Sequence, residues 1–123
     1  GIMPDGWPDL LMGRVGEAVA PGVHRVLVDR LWPRGVSKAA ASWDTWLKDV
    51  APSTALRTWY AHDPARWGEF AECYRQELTD DGHRAAVALL RAIWQRQPVM
   101  LVTATRQIDG SQVPVLQAFL QNS

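Results

Sequence analysis

Residues 24–35 read HRVLVDRLWPRG, and this stretch decides the fold. Its apolar, β-branched first half predicts a buried strand over residues 24–29, and from Arg30 the chain leaves the sheet through a Trp-Pro corner. In open α/β folds, ligands bind just outside the carboxyl ends of the strands. An aspartate, two arginines and a tryptophan follow this strand directly, so the stretch also predicts where a site lies.

Length and composition predict one globular domain. The chain has 123 residues, of which 47% are hydrophobic and 21% charged. We expect residues 1–9 to form a flexible lead-in and residues 10–123 a single α/β domain. No apolar run reaches the ~20 residues that span a bilayer, and no signal-peptide pattern opens the chain, so we expect a cytoplasmic protein without membrane contact.

Charge and cysteine content narrow the function classes. Thirteen basic and thirteen acidic residues give a formal net charge of zero, which does not favour nucleic acid as a partner. A single cysteine and three scattered histidines predict neither a disulfide nor a metal site, and we expect no cofactor. Thiol chemistry is not predicted either, because Cys73 falls inside a predicted helix rather than in an anion-binding loop.

Hydrophobic periodicity outlines the other elements. Strands are predicted over residues 10–15, 24–29 and 99–103, and the last of these is apolar throughout, as in a strand buried on both faces. Helices are predicted to begin at Ser42, Ser53 and Asp63, to continue after Gly82 until Pro98, and to resume after Asp109-Gly110. The pattern predicts a small three-layer Rossmann-like α/β domain with a mostly parallel sheet and a helical middle segment.

The charged corner after the second strand is the first candidate site. Arg30 and Arg34 could clamp a carboxylate or a phosphate, because a guanidinium presents a planar fork of donors. Asp29 would then orient an arginine or accept a proton, which makes Asp29 and Arg30 the catalytic candidates. The structural alternative is that Asp29 pairs with Arg30 or Arg57 and only fixes the corner.

Two further segments could join this corner. Ser53 and Arg57 stand at a predicted helix start, where backbone N–H groups attract anions, although an ordinary N-cap explains Ser53 equally well. Thr105 and Arg106 follow the third predicted strand and would emerge beside Arg30 if the two core strands are parallel neighbours; a solvent-facing turn is the alternative. The remaining candidate ligand contacts are Trp32, which could stack on a ring, Lys38 and the loop residue His62.

Several strings resemble the short-form DUF488 family. They are VDRLWPRG at 28–35, Pro52-Ser53 with Leu56-Arg57, then His62, and the helical set Trp67, Phe70, Tyr74, Arg75, Glu77 and Leu78. The resemblance runs from about His24 to the end of the chain and implies a compact bacterial α/β domain with no settled activity, cofactor or catalytic residue. This sequence departs from the family near its end, where Ser111-Gln112 replaces an Asn-His pair.

Two functions are consistent with these features. The first is a small enzyme or ligand-binding domain with an anion pocket at the strand ends, built from the three arginine-bearing segments. The second is a binding module for nucleic acid or protein, which would use Arg30, Arg34, Lys38 and Trp32 as its contact patch. A third hypothesis is that the arginines bind no ligand and only form ion pairs that stabilise the fold.

Overall fold

The computed structural model describes residues 6–122, in which four parallel strands form one sheet. The strands are β1 (Leu10–Arg14), β2 (His24–Leu27), β3 (Thr45–Trp46) and β4 (Val99–Thr103), and their spatial order is β1-β4-β2-β3. Every residue of β4 is buried, as its uninterrupted apolar run predicted. Strands β2 and β4 are parallel neighbours, since Leu27 pairs with Val102, and this meets the condition for Thr105 and Arg106 to emerge beside Arg30.

Four helices complete the predicted α/β fold. They are α1 (Thr54–Tyr60), α2 (Trp67–Glu77), α3 (Asp81–Arg96) and α4 (Val113–Gln121), with short 3-10 turns at Lys48–Val50, Pro64–Arg66 and Ile108–Gly110. The predicted caps at Ser53 and Asp63 are present, and their side chains accept the backbone N–H groups of Leu56 and Ala65. Among the described residues, no helix is long and apolar enough to cross a membrane.

The two faces of the sheet are covered differently. Apolar residues of all four helices pack on the face formed by Val26, Val28, Val99 and Leu101. The opposite face carries Leu27, Met100 and Val102 and is covered by irregular chain at 15–23 and 32–43 together with Trp43 and Trp46. The layer beyond this second face is therefore built from loops and tryptophans rather than from helices.

The helix predicted after Ser42 is wrong. This segment instead forms β3 and a 3-10 turn, because the edge of β2 offers it backbone partners: Asp44 N donates to Arg25 O at 2.8 Å and Leu47 N to Leu27 O at 3.0 Å. The Ser42 hydroxyl accepts the N–H of Gly16 rather than capping a helix. Strand pairing outweighs the helical spacing of the tryptophans here, since periodicity alone is ambiguous in short segments.

Part of the predicted lead-in packs on the core. Residues 1–5 lie outside the described residues, but Trp7 meets Trp94 edge to face, with ring centroids 4.6 Å apart. The Trp94 indole donates to the carbonyl of Pro8 at 2.7 Å. Residues 7 and 8 are thus tied to α3 by an aromatic contact and a hydrogen bond.

Tyr74 anchors α2 to the chain that follows β3. Its side chain is fully buried, and its hydroxyl donates to the carbonyl of Val50 at 2.6 Å. Burial raises the pKa of this phenol well above its usual range, and the nearby charge of Glu77 raises it further. The folded protein therefore requires Tyr74 to be neutral.

Replacing Tyr74 by phenylalanine tests this anchor. We expect Tyr74→Phe to lower the free energy of unfolding by about 1–3 kcal/mol at neutral pH, because the buried Val50 carbonyl loses its donor. Since the folded-state pKa lies above the unfolded value of about 10, Tyr74 stabilises the fold below that pH and loses this contribution as the pH rises. Urea denaturation on both sides of that pH should show a smaller alkaline loss in the variant, and an equal loss in both proteins would contradict the assignment.

Candidate functional site

A cleft of about 880 Å³ opens at the carboxyl ends of β2 and β4. Its walls come from the segments that follow these strands, from α1 and the loop after it, and from the start of α4, with Phe70 of α2 also lining it. Eight of the ten candidate residues line this cleft: Asp29, Arg30, Trp32, Arg34, Arg57, His62, Thr105 and Arg106. Because the sheet is parallel, segments distant in sequence meet at one edge.

Ser53 and Lys38 do not line the cleft. The Ser53 hydroxyl donates to Glu77 at 2.5 Å and accepts from Leu56 N at 3.1 Å, so it is fully engaged in capping α1 and joining it to α2. The backbone N–H of Ser53 also donates to Glu77, at 2.8 Å. Lys38 is exposed within the irregular segment 32–43.

The Asp29 carboxylate is held by three donors. It accepts the Thr103 hydroxyl at 2.7 Å, the backbone N–H of Ala104 at 2.8 Å and the side-chain amide of Gln112 at 2.9 Å. Its expected role as a proton acceptor stays a prediction, but among the described residues it neither orients an arginine nor pairs with Arg30 or Arg57. The reason is positional: the exit of β4 offers Asp29 a hydroxyl and a free backbone N–H directly beside the exit of β2.

The Arg30 guanidinium contacts other residues of the domain. Its guanidinium donates to the carbonyls of Ala51 at 2.9 Å and Pro52 at 3.3 Å, and a third nitrogen lies 3.5 Å from a carboxylate oxygen of Asp49. All three guanidinium nitrogens therefore have partners within the domain. Arg30 ties the exit of β2 to the turn that precedes α1.

Trp32 presents a fixed ring to the cleft. Its indole N–H donates to Val36 O at 2.5 Å, and its ring meets Trp43 and Trp46 edge to face at centroid distances of 4.8 and 5.4 Å. The ring is half-buried, so part of it stays available. Three contacts from different segments hold it in one orientation.

Unlike Arg30, three other arginines of the cleft have side chains without a bonding partner among the described residues. Arg34, Arg57 and Arg106 make no ion pair and no side-chain hydrogen bond with any other residue in the range 6–122. They come from the turn after β2, from α1 and from the turn after β4. The lining as a whole holds four arginines and one aspartate, although the chain has no net charge.

His62 lies at the rim in an unusual backbone conformation. Both Ala61 and His62 adopt positive φ angles, 48° and 56°, in the left-handed region that non-glycine residues seldom occupy. The His62 side chain is exposed, and its ring centroid lies 6.1 Å from that of Tyr60. Strained backbone of this kind concentrates at functional sites.

Gln112 and Tyr60 are the important residues that sequence reasoning missed as parts of the site. Gln112 is buried and donates to the carbonyl of Val28 at 3.1 Å as well as to Asp29. The Tyr60 hydroxyl donates to the carbonyl of Gly110 at 2.6 Å and closes one wall. The sequence signals for Gln112 were its place just before the last helix and the Ser111-Gln112 pair, at which the chain departs from the family it resembles.

The described part of the chain contains no cluster of three or more histidine, cysteine, aspartate or glutamate residues able to hold a metal. The polar side chains that line the cleft are mainly arginines, hydroxyl and amide groups, together with the hydrogen-bonded carboxylate of Asp29. Such a set suits an anion rather than a cation.

Comparison with known proteins gives one family model and several uncharacterised bacterial relatives. Residues 10–123 match the family model DUF488-N3i, described as the inactive DUF488-N3 subclade. The chain is 46% identical over 110 residues to uncharacterised proteins of Mycobacterium tuberculosis and Mycobacterium bovis, covering 89% of this chain and 91% of each relative. It is 33% identical over 99 residues to the uncharacterised protein YeaO of Escherichia coli, covering 80% of this chain and 84% of that protein. No solved structure matches the chain significantly.

Truncation of Arg30 should destabilise the protein, whereas truncation of Arg34 should not. We expect Arg30→Ala to lower the free energy of unfolding by about 2–4 kcal/mol, because the buried Pro52 carbonyl loses this donor and the Ala51 carbonyl keeps only its contact with His83. Arg34→Ala, the matched control four residues away, should change it by less than about 0.5 kcal/mol, since Arg34 is exposed and unpaired within the described residues. Urea denaturation measures both, and equal effects would refute the division of roles.

Proposed function

This chain belongs to the DUF488 family, and on that premise we propose that it is a non-catalytic binding domain whose cleft holds a small anion, a phosphate or a carboxylate. The observation that carries the proposal is the segregation of charge: four arginines and one aspartate line a single cleft in a chain of zero net charge. A local cationic field of this kind raises the concentration of anions at the site.

The arginines divide into one that builds the cleft and three that face a ligand. Arg30 is engaged with backbone carbonyls, whereas Arg34, Arg57 and Arg106 have no partner among the described residues and stand on three separate elements. Guanidinium groups bind carboxylates and phosphates in a bidentate manner. An anion that is contacted from three elements would be held without any rearrangement of the sheet.

Two cleft groups that could perform acid–base or nucleophilic chemistry, Asp29 and Ser111, are engaged, whereas His62 is exposed at the rim. Asp29 accepts three hydrogen bonds, and the Ser111 hydroxyl donates to Ile108 O at 2.6 Å and accepts from Val113 N at 3.1 Å. Cys73 lies in α2 and does not line the cleft. These contacts, and a subclade described as inactive, support binding over catalysis.

The binding-module alternative has weaker support. Its predicted patch combined Arg30, Arg34, Lys38 and Trp32, but Arg30 is bonded to the fold and Lys38 does not line the cleft. The zero net charge of the chain also disfavours a general nucleic-acid partner. Arg34, the exposed Lys38 and part of Trp32 would remain for such a surface.

Thermal-shift titration with phosphate and citrate tests anion binding. We expect the midpoint of unfolding to rise with anion concentration, because a ligand that binds only the folded state stabilises it. Arg34→Ala, Arg57→Ala and Arg106→Ala should each weaken binding by about 10-fold or more, which corresponds to the loss of a charge-assisted hydrogen bond.

Arg14→Ala is the matched control, since Arg14 is an exposed arginine at the end of β1 that does not line the cleft. It removes the same charge and should leave the anion response unchanged. The proposal fails if no anion shifts the midpoint, or if Arg14→Ala weakens the response as much as the cleft variants do.

A further inference from the structure

We propose that the natural ligand joins its anionic group to a flat aromatic ring, in the size class of a mononucleotide, and that the ring stacks on Trp32. This inference rests on the proposed anion site and adds the chemical class of what the anion is attached to.

The cleft has room for more than a bare anion. Its volume of about 880 Å³ lies in the range of pockets that hold whole small molecules, about 300–1,000 Å³. A phosphate has five heavy atoms and would leave most of that space filled with water. The ligand therefore has a body beyond its charge.

The wall beside Arg34 is apolar and rigid. Leu31, Trp32 and Pro33 line the cleft in sequence, and Leu31 is 60% exposed, one of three large hydrophobic residues that are exposed in the described part of the chain. The ring of Trp32 is held by Trp43, by Trp46 and by its bond to Val36. An aromatic surface that is already ordered loses little conformational entropy when a second ring stacks on it.

The ring and anion subsites are close together. Two residues of extended chain span at most about 7 Å, so the backbone positions of Trp32 and Arg34 lie within one ring-to-phosphate distance. Arg57 and His62 lie on the wall formed by α1 and the loop after it. A ligand whose ring rests on Trp32 can thus place its anion beside Arg34 without crossing the cleft.

Neutral hydrophobic ligands fit this geometry less well. A cleft with three arginines that lack partners in the range 6–122 would leave those charges uncompensated around an uncharged ligand. A sugar phosphate would satisfy the arginines but would leave Leu31 and the part of Trp32 that lines the cleft without an apolar partner. The combination of both features selects an anion with an aromatic ring.

Isothermal titration of the full chain with four related compounds tests the assignment. The compounds are inorganic phosphate, ribose 5-phosphate, adenosine and adenosine 5′-monophosphate, which separate the anion, the sugar and the ring. We expect adenosine 5′-monophosphate to bind about 10-fold or more tightly than ribose 5-phosphate, the gain that one stacked base contributes. Arg34→Ala should weaken phosphate and adenosine 5′-monophosphate by the same factor.

Two variants locate the ring. Trp32→Leu should abolish the advantage of adenosine 5′-monophosphate over ribose 5-phosphate and leave phosphate binding unchanged. Because Trp32 also packs on Trp43 and Trp46, Leu31→Ser serves as the variant that keeps the core intact, and it should reduce the same advantage several-fold. Saturation-transfer NMR on the unmodified protein gives an independent readout, with stronger transfer to the base protons than to the ribose protons.

The outcomes separate this inference from the proposed function. If ribose 5-phosphate and adenosine 5′-monophosphate bind equally well, the aromatic ring subsite is refuted while the anion site stands. If none of the phosphates binds, both proposals are wrong. If adenosine alone binds as tightly as its monophosphate, the arginines do not hold the anion and the proposed function fails.

Discussion

The three hydrogen bonds to the Asp29 carboxylate are the contact on which the site depends. They join the exit of β2 to Thr103 and Ala104 at the exit of β4 and to Gln112 at the start of α4. A partly buried carboxylate is stable as an anion only when such donors surround it. By meeting this need, the fold fixes three chain segments at the carboxyl edge of the sheet, and the cleft opens between them and α1.

Arg30 supports a second junction on the other side of the same corner. The carbonyl of Ala51 accepts from Arg30 and also lies 2.8 Å from Nε2 of the buried His83, whose Nδ1 lies 2.8 Å from Asp80. The hydrogen bond with His83 holds the pKa of the Asp80 carboxyl below its usual value. Adjacent residues of one strand exit thus connect the sheet in two directions, toward α4 through Asp29 and toward the start of α3 through Arg30.

Much of the fold could be predicted from the sequence, because its strongest signals are local. The uniformly apolar strand at 99–103 and the caps at Ser53 and Asp63 each depend on neighbouring residues, and all three are confirmed. The strand at Thr45–Trp46 could not be predicted, since only the unpaired edge of β2 makes it extended. The partner of each charged side chain could not be predicted either. In sequence, Asp29 and Arg30 resemble catalytic residues. Only the structure shows that they are hydrogen-bonded within the fold, to Thr103, Gln112 and Ala51.

The charges that line the cleft divide into two groups, those engaged with the fold and those without a partner among the described residues. Asp29 and Arg30 contact backbone groups and a buried amide, so replacing them would disturb the sheet edge itself. Arg34, Arg57 and Arg106 project from turns and from the surface of α1, where a change of side chain leaves the core unaffected. If the cleft binds an anion as proposed, its shape and its affinity are therefore set by different residues. Under the proposed function, specificity could change through the outer arginines while the inner pair holds the strand exits in place.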